Sequence, residues 1–314
     1  MVRCCISNFH TVPGDRSHRE RFYGRISPGK SLHFEVRKAR PSDKAPLMSF
    51  IKDVWGGHDY IPHVWDYWIE DRSAKMFVIE AGGKPIALNR VRFLPDGSAW
   101  FEGARVHPDY RRMGLASMLG DNAMKVAVEN GAPVFRLTSG SRNKASHGQV
   151  AKMGFVEVAR FSSYETEKGR RFHPRAGVRV AKTDDLGAIV HSVTDSMEYK
   201  LGGGFLWDGF AAMSLSPSIV EDAISEGSVY VCDGAVAIRR LGREGRAVWN
   251  QIGYISGNEE PALKLVDTVF AIKGEFDWRF VTLPQGSPLV GAMRRHGLRR
   301  SFSNVLFERT AAKG

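Results

Sequence analysis

The feature that most restricts the fold is the segment Val106 to Ala116, V-H-P-D-Y-R-R-M-G-L-A, because of what lies on its two sides. Alternating apolar residues before it predict a strand over Ala99 to Val106. Apolar residues at helical spacing after it predict a long helix from about Gly114 to Asn130. A strand that leads through a short loop into a long helix is typical of α/β architecture.

The loop in this segment has the properties of an anion site. Gly114 lets the backbone approach a ligand closely, and the first amides of the following helix point outward together at its positive dipole end. That geometry suits a pyrophosphate. Arg111 and Arg112 place positive charge beside it.

The rest of the chain from Phe34 alternates strand-like and helix-like segments, which predicts a mixed α/β (α+β) sheet. V-R-K-A-R-P-S-D at Val36 to Asp43 is echoed by V-R-V-A-K-T-D-D at Val178 to Asp185, so an internal repeat is predicted. We predict four regions. They are a basic, disordered extension at 1–33, a first domain at 34–167, a linker at 168–177 and a second domain at 178–314.

Composition and charge narrow the function classes. Hydrophobic residues are 43% and charged residues 25% of the 314, and no apolar run reaches the roughly 20 residues needed to cross a bilayer. The three cysteines cannot form a disulfide framework, which predicts a cytoplasmic protein. Lys and Arg are scattered, so nucleic acid is not an expected partner despite the net charge of +11.

The segment also resembles the signature of the GNAT N-acetyltransferase superfamily, which is Arg or Gln, two residues, Gly, one residue, and Gly or Ala. Arg111, Gly114 and Ala116 fulfil it, and N-K-A-S-H-G-Q-V-A-K-M-G-F from Asn143 is similar to the family's second cofactor segment. The resemblance implies a GNAT fold with acetyl-CoA as cosubstrate and no metal. The cofactor-binding residues that it implies are Val106, Arg111, Arg112, Met113, Gly114, Leu115, Ala116 and Asn143.

Two further stretches, Gly56 to Trp68 and Phe101 to Val106, resemble the histidine N-acetyltransferase-like group. The resemblance implies transfer of acetyl from acetyl-CoA to the primary amine of a small molecule such as an amino acid. Acetylation of protein N-termini or lysines, and a CoA-binding or nucleic-acid-associated module without catalysis, stay open as alternatives. The oligomeric state is also left open by the sequence.

Candidate catalytic groups follow from the same resemblance. Glu102 is the candidate base, and strand alternation predicts that it shares a face with Val106; an ordinary cross-strand salt bridge is the alternative reading. The family's frequent acid, a Tyr, is replaced by Val150, so His147 is the candidate proton donor, with an exposed histidine without such a role as the alternative reading. Candidate residues for binding the amine are His58, Asp59 and Tyr60, with N-capping and packing as the alternative.

The second half is predicted to be a degenerate GNAT-like copy. At the place of the phosphate loop it has S-G-N-E-E-P, and the carboxylates of Glu259 and Glu260 would repel a pyrophosphate. The expected roles of this half are to shape the acceptor pocket or to pack against the first half.

Overall fold

The computed structural model describes residues 33–311, so the predicted extension at 1–33 lies almost wholly outside the described residues. The strands and helices predicted for the first half are present in the predicted order. The elements are β1 (Phe34–Lys38), α1 (Lys44–Ile51), α2 (Ile61–Glu70), β2 (Ala74–Ala81), β3 (Lys84–Phe93), β4 (Ala99–Val106), α3 (Leu115–Glu129), β5 (Val134–Gly140), α4 (Lys144–Lys152) and β6 (Val156–Glu165).

The second half begins in the same way and then departs by a short hairpin that the sequence did not predict. Its elements are β7 (Arg179–Val180), α5 (Leu186–Asp195), α6 (Met197–Gly202), β8 (Phe205–Asp208), β9 (Ala211–Ser214), α7 (Pro217–Ser225), β10 (Val229–Cys232), β11 (Ala235–Glu244), β12 (Ala247–Ser256), α8 (Glu259–Phe270), β13 (Trp278–Pro284), α9 (Leu289–Arg295) and β14 (Arg299–Thr310).

Helices cover both faces of the sheet in the first half. Helices α1 and α2 bury Leu47, Trp65 and Trp68 on one face, which we call the α2 face. Helix α3 buries Ala123 against Phe135 on the other, which we call the α3 face. Among residues 33–311 no helix is both long and apolar enough to cross a bilayer.

One mixed sheet of twelve strands joins the two halves, and they exchange their last strands. The order is β1-β2-β3-β4-β5-β14-β6-β13-β12-β11-β10-β7. Strand β14 pairs with β5, as in Leu306 beside Thr138, and β6 pairs with β13, as in Tyr164 beside Val281. The predicted linker falls between β6 and β7, and the exchanged strands connect the regions on its two sides. The division into two domains stays a prediction.

The sequence repeat has a structural counterpart at the start of each half. Arg37 Nη1 pairs with Asp43 Oδ2 at 2.8 Å, and Arg179 Nη1 pairs with Asp185 Oδ2 at 2.6 Å. Both aspartates also accept a hydrogen bond from a backbone amide three residues earlier and so hold the turn into a helix. The same ion pair therefore closes the first strand-to-helix turn of each half.

Close backbone packing makes Gly253 a sensitive position of the second half. A Cβ there would collide with the backbone carbonyl oxygen of Trp207 in β8. We expect Gly253→Ala to lower the free energy of unfolding by about 1–3 kcal/mol, since backbone cannot move aside as a side chain can. Gly148→Ala is the control, because a Cβ in that helix meets nothing within 4 Å and Ala is favoured over Gly there by about 0.5–1 kcal/mol. Urea unfolding of both variants is the measurement; equal stability would contradict the close contact.

Candidate functional site

The N-terminus of α3 presents free amides at an open surface. Gly114 is its N-cap with φ 81°, and the first helical hydrogen bond runs from Met118 N to Gly114 O at 3.0 Å. The amides of residues 115–117 therefore have no carbonyl partner within the helix. A Cβ on Gly114 would meet nothing within 4 Å. This end of the helix has room for a ligand and donors to bind it.

The loop before α3 carries cationic side chains that are available for a ligand. Arg111, Arg112 and Met113 are exposed, and Arg112 adopts a left-handed conformation with φ 66°. Within residues 33–311, no salt bridge uses either arginine. Leu115 is instead buried and anchors the helix start, and Val106 and Ala116 are partly buried. Some of the predicted cofactor residues are therefore exposed, and the others are buried or partly buried in the protein.

Strand β4 separates from its parallel neighbour β5 next to this loop. The two strands pair only at Ala99 and Trp100, so residues 101–106 have no partner on β5 in the described ladder. Adjacent strands that diverge leave unpaired backbone groups along a cleft. The cleft opens toward the carboxyl ends of both strands, where the loop that connects β4 to α3 begins.

A β-bulge at Gly103 lies in the separated part of β4. Leu88 pairs with Arg105 but Arg90 pairs with Glu102, so β4 contains one residue more than β3 over this stretch. Gly103 has φ 69°, and a Cβ there would lie 2.7 Å from the Trp68 ring. Only glycine fits this backbone conformation so close to the indole.

The bulge corrects the predicted orientation of Glu102. Simple alternation placed Glu102 on the same face as Val106, and this prediction was wrong because the extra residue reverses the alternation. Val106 packs with the cluster under α3, whereas Glu102 lies on the α2 face, with Arg105.

Glu102 takes part in a partly buried ion-pair cluster. Its Oε1 accepts a hydrogen bond from Arg90, whose other terminal nitrogen binds Asp71, and Arg92 Nε lies 3.9 Å away. The Arg90 side chain is 1% exposed and Glu102 12%. The cross-strand salt bridge weighed as the alternative is therefore present, and the role of Glu102 as a base stays a prediction.

The candidate acceptor residues have different environments. Asp59 is buried, and its oxygens bind Arg105 Nε at 2.5 Å and the Ile61 amide at 3.0 Å, so it anchors the start of α2 to β4. Burial raises the pKa of Tyr60, which keeps its phenol neutral, and its ring packs edge-on against Trp68. His58 is exposed.

The other candidates belong to the turn and helix after β5. Asn143 caps α4 by accepting a hydrogen bond from the Ser146 amide at 3.2 Å. His147 Nε2 donates to the Gly140 carbonyl oxygen at 3.0 Å, and its ring lies against Phe307 of the α3-face core. His147 and Glu102 therefore lie on opposite faces of the sheet. Val150 is buried and apolar, so it cannot donate a proton.

Sequence reasoning missed Glu244, a residue of the second half that reaches the α2 face of the first. Its Oε1 accepts a hydrogen bond from Trp68 Nε1 at 2.5 Å. The next residue, Gly245, approaches α2 so closely that a Cβ would lie 2.7 Å from the His63 carbonyl oxygen. No sequence signal marks this contact, because it depends on how the β11–β12 hairpin lies across the other half.

The second half does not repeat the open loop. Only Gly257 and Asn258 connect β12 to α8, and a Cβ on Gly257 would lie 2.6 Å from Ala235. Glu259 at the helix start pairs with Arg295 at 2.7 Å. In the part of the chain that the structure describes, no group of three or more His, Cys, Asp or Glu side chains is arranged to hold a metal ion in either half.

The bulge gives a stability test. We expect Gly97→Ala to lower the free energy of unfolding by about 1–2 kcal/mol, because it forces Ala into a left-handed conformation in open space. Gly103→Ala has the same backbone cost and must also displace Trp68, which adds about 1–3 kcal/mol. Equal losses in urea unfolding would mean that Trp68 does not press on the bulge.

Comparison with known proteins agrees with this geometry. The model of the family described as Acetyltransferase (GNAT) family matches residues 45–155. Histidine N-acetyltransferase of Oreochromis niloticus is 35% identical over 89 residues, which are 28% of this chain and 26% of that protein. The protein named "Probable N-acetyltransferase 16" of Homo sapiens is 27% identical over 213 residues, 66% of this chain and 54% of that protein. The chain thus spans about a quarter to about half of the length of these relatives.

The fold has a counterpart among solved structures over nearly its whole length. A GCN5-related N-acetyltransferase from Sphaerobacter thermophilus superposes with a TM-score of 0.59, covering 90% of this chain and 96% of that one at 14% identity. That likeness shows the fold. The residues matched by the family model include the loop before α3, the bulge at Gly103 and the strands β4 and β5 that border the cleft. Residues 45–155 of this chain are therefore similar to the Acetyltransferase (GNAT) family over the segment that holds the loop, the bulge and the cleft.

Proposed function

We propose that this chain is an N-acetyltransferase that transfers acetyl from acetyl-CoA to the primary amine of a small molecule such as an amino acid. The observation that carries the proposal is the free N-terminus of α3 beside the cleft between β4 and β5. The names of the relatives, histidine N-acetyltransferase among them, support the same reaction class.

The residues present fit the cosubstrate. The amides of residues 115–117 would bind the pyrophosphate, and the open space over Gly114 leaves room for it. Arg111 and Arg112 would add attraction for the phosphates, since neither is engaged in a salt bridge of the described chain. Backbone groups of β4 from Gly103 onward, unpaired with β5, would bind along the pantetheine. Asn143 would flank it from the start of α4.

The chemistry requires the acceptor to arrive at the thioester carbonyl as a neutral amine. Acetyl-CoA would supply the activated acyl group; a C–N bond forms, the C–S bond breaks, and one proton leaves the amine. An unpaired amide near the bulge would stabilise the developing oxyanion. Glu102, one residue before the bulge, would accept the amine proton through water.

The departing thiolate needs a proton, and the position of the usual Tyr is the buried Val150. We propose His147 for this role. Its Nε2–H is engaged with the Gly140 carbonyl, so the proton for the thiolate would come from Nδ1–H of the imidazolium form. Its helix borders the α3 end of the cleft, as the hydrogen bond from Gln149 Nε2 to Ser117 Oγ at 3.0 Å indicates. Base and acid would then act from opposite faces of the sheet.

The shape of the acceptor side favours a small molecule over a protein chain. The tip of the β11–β12 hairpin lies against α2, with Gly245 beside the His63 carbonyl. Tyr60 forms part of the wall between this tip and the bulge, and Asp59 holds that wall in place through Arg105. His58, Asp59 and Tyr60 are therefore proposed as acceptor-side residues that shape the site.

Replacement of Gly114 tests the cofactor site. We expect Gly114→Glu to raise the dissociation constant for acetyl-CoA at least about 100-fold, because a carboxylate would face the pyrophosphate. Gly114→Ala is the matched control: it has the same left-handed backbone cost but adds no charge and meets nothing within 4 Å. Titration calorimetry measures both variants. Equal affinity in wild type and Gly114→Glu would disprove the placement.

An acceptor panel tests the reaction. We expect release of free CoA thiol from acetyl-CoA with at least one free amino acid, and L-histidine is the first to test because of the relatives' names. Polyamines and peptides with free N-termini or lysines complete the panel. Turnover only with peptides would favour protein acetylation. Tight acetyl-CoA binding without turnover on any amine would favour a binding module.

A further inference from the structure

The hairpin tip between β11 and β12 brings a carboxyl group of the second half next to the bulge of the first. Glu244 binds Trp68 through Oε1, and Trp68 is the side chain on which Gly103 packs. No described residue forms a hydrogen bond or salt bridge with Glu244 Oε2. One carboxyl oxygen is thus fixed and the other is available to a ligand.

The surroundings of Glu244 are charged on several sides. The charged and titratable groups around it are Arg90 and Arg92 of β3, Glu102 and Arg105 of β4, Asp59 and Tyr60 before α2, Asp71 at the end of α2 and Asp208 of β8. Burial raises the pKa of Glu244, and the neighbouring carboxylate of Glu102 raises it further. Trp68 and the two arginines act in the opposite direction without cancelling the effect.

The ionisable side chains around Glu244 do not balance one another in charge. Asp59 pairs with Arg105, and Asp208 pairs with Arg240. The three carboxyl groups and two guanidinium groups that remain leave one negative charge when all are ionised. A partly buried charge is stable only when it is paired. Protonation of Glu244, which its raised pKa favours, or a single bound ammonium group would remove this excess charge, and a primary amine carries that group in neutral solution.

We infer that Glu244, together with Glu102, binds the ammonium group of the acceptor, so that the second half supplies part of the acceptor site. This inference rests on the proposed function and assigns Glu244 as a residue that binds the acceptor. The ammonium would lie between the two carboxyl groups next to the bulge. Glu102 would accept one ammonium proton through water before attack, so that the neutral amine reaches the thioester while Glu244 holds the acceptor there. The second N–H proton would leave the adduct as the C–S bond breaks, and it balances the proton that the thiolate takes up.

The assignment predicts a specific pH dependence. Only the ionised carboxylate attracts an ammonium strongly, and the pKa of Glu244 is raised. The KM of wild type should therefore be low above that pKa and rise as the pH falls through it. In Glu244→Gln, the amide oxygen can still accept the Trp68 hydrogen bond, but the side chain does not titrate. The rise of KM that is caused by protonation of Glu244 should therefore be absent in this variant.

The experiment measures KM and kcat for L-histidine in wild type and Glu244→Gln between pH 5.5 and 8.5, or for the best acceptor of the panel if L-histidine is not used. The ratio of the two KM values is the readout, because titration of the acceptor itself cancels in it. We expect a ratio of about 10 or more at pH 8.5, as for loss of a charged hydrogen bond. It should fall toward 1 at acid pH, and kcat should change less.

Controls separate this role from packing. Glu221→Gln removes an exposed charge of α7 and should leave the ratio at 1 at every pH. Glu244→Asp keeps the negative charge and should recover part of the affinity for the acceptor. If Glu244→Gln proves unstable on thermal unfolding, Glu244→Asp still tests the role of the charge. A ratio that is independent of pH, or unchanged KM in Glu244→Gln, would overturn the inference while wild-type turnover still supports the proposed function. Failure of wild type on every amine would overturn both.

Discussion

Gly103 against Trp68 is the contact on which the site depends. The extra residue in β4 turns Glu102 to the α2 face, and it occurs in the stretch where β4 no longer pairs with β5. Such a bulge needs a positive φ and a flat surface to pack on, and the indole of Trp68 supplies that surface. Trp68 in turn carries Arg90 over its ring, 4.8 Å from the centroid, and hydrogen-bonds Glu244. A single side chain therefore links the strand geometry, the ion-pair cluster and the second half.

Each half has a hairpin tip that contacts the other half. The β11–β12 tip reaches Trp68, and the β3–β4 tip reaches the other half through Asp96, which accepts a hydrogen bond from the Ser214 amide at 2.7 Å. Asp96 also pairs with Arg136 of β5, and Arg136 binds Glu308 of the exchanged strand β14. Buried ion pairs of this kind favour one arrangement of strands because any other leaves charges unpaired. The exchanged strands and the two tips thus fix the halves in one register.

Much of the local structure was predictable from the sequence, and the long-range contacts were not. The turn at Gly114 and the helix after it follow from residues close in sequence, so the pattern predicts them. Alternation does not reveal the bulge at Gly103, although a glycine inside a strand pattern is itself a signal for a bulge. Glu244 lies far from Trp68 in the chain, and only the exchange of β6 and β14 brings the two halves side by side. The strands β8 and β9 are four residues each, too short for alternation to mark.

The difference between the halves lies in their loops. Strand β12 also has a bulge, at Gly253 between Ile252 and Tyr254, although Gly253 lacks the positive φ of Gly103. Yet the backbone of β8 covers that bulge, and two residues join β12 to α8 where eight, 107–114, join β4 to α3. A two-residue connection packed on β11 cannot present a row of amides to an anion. The loop before α3 thus leaves the first half open to a phosphate. The second half has the same topology but a closed loop, and it contributes the β11–β12 tip with the carboxyl group of Glu244 to the first half.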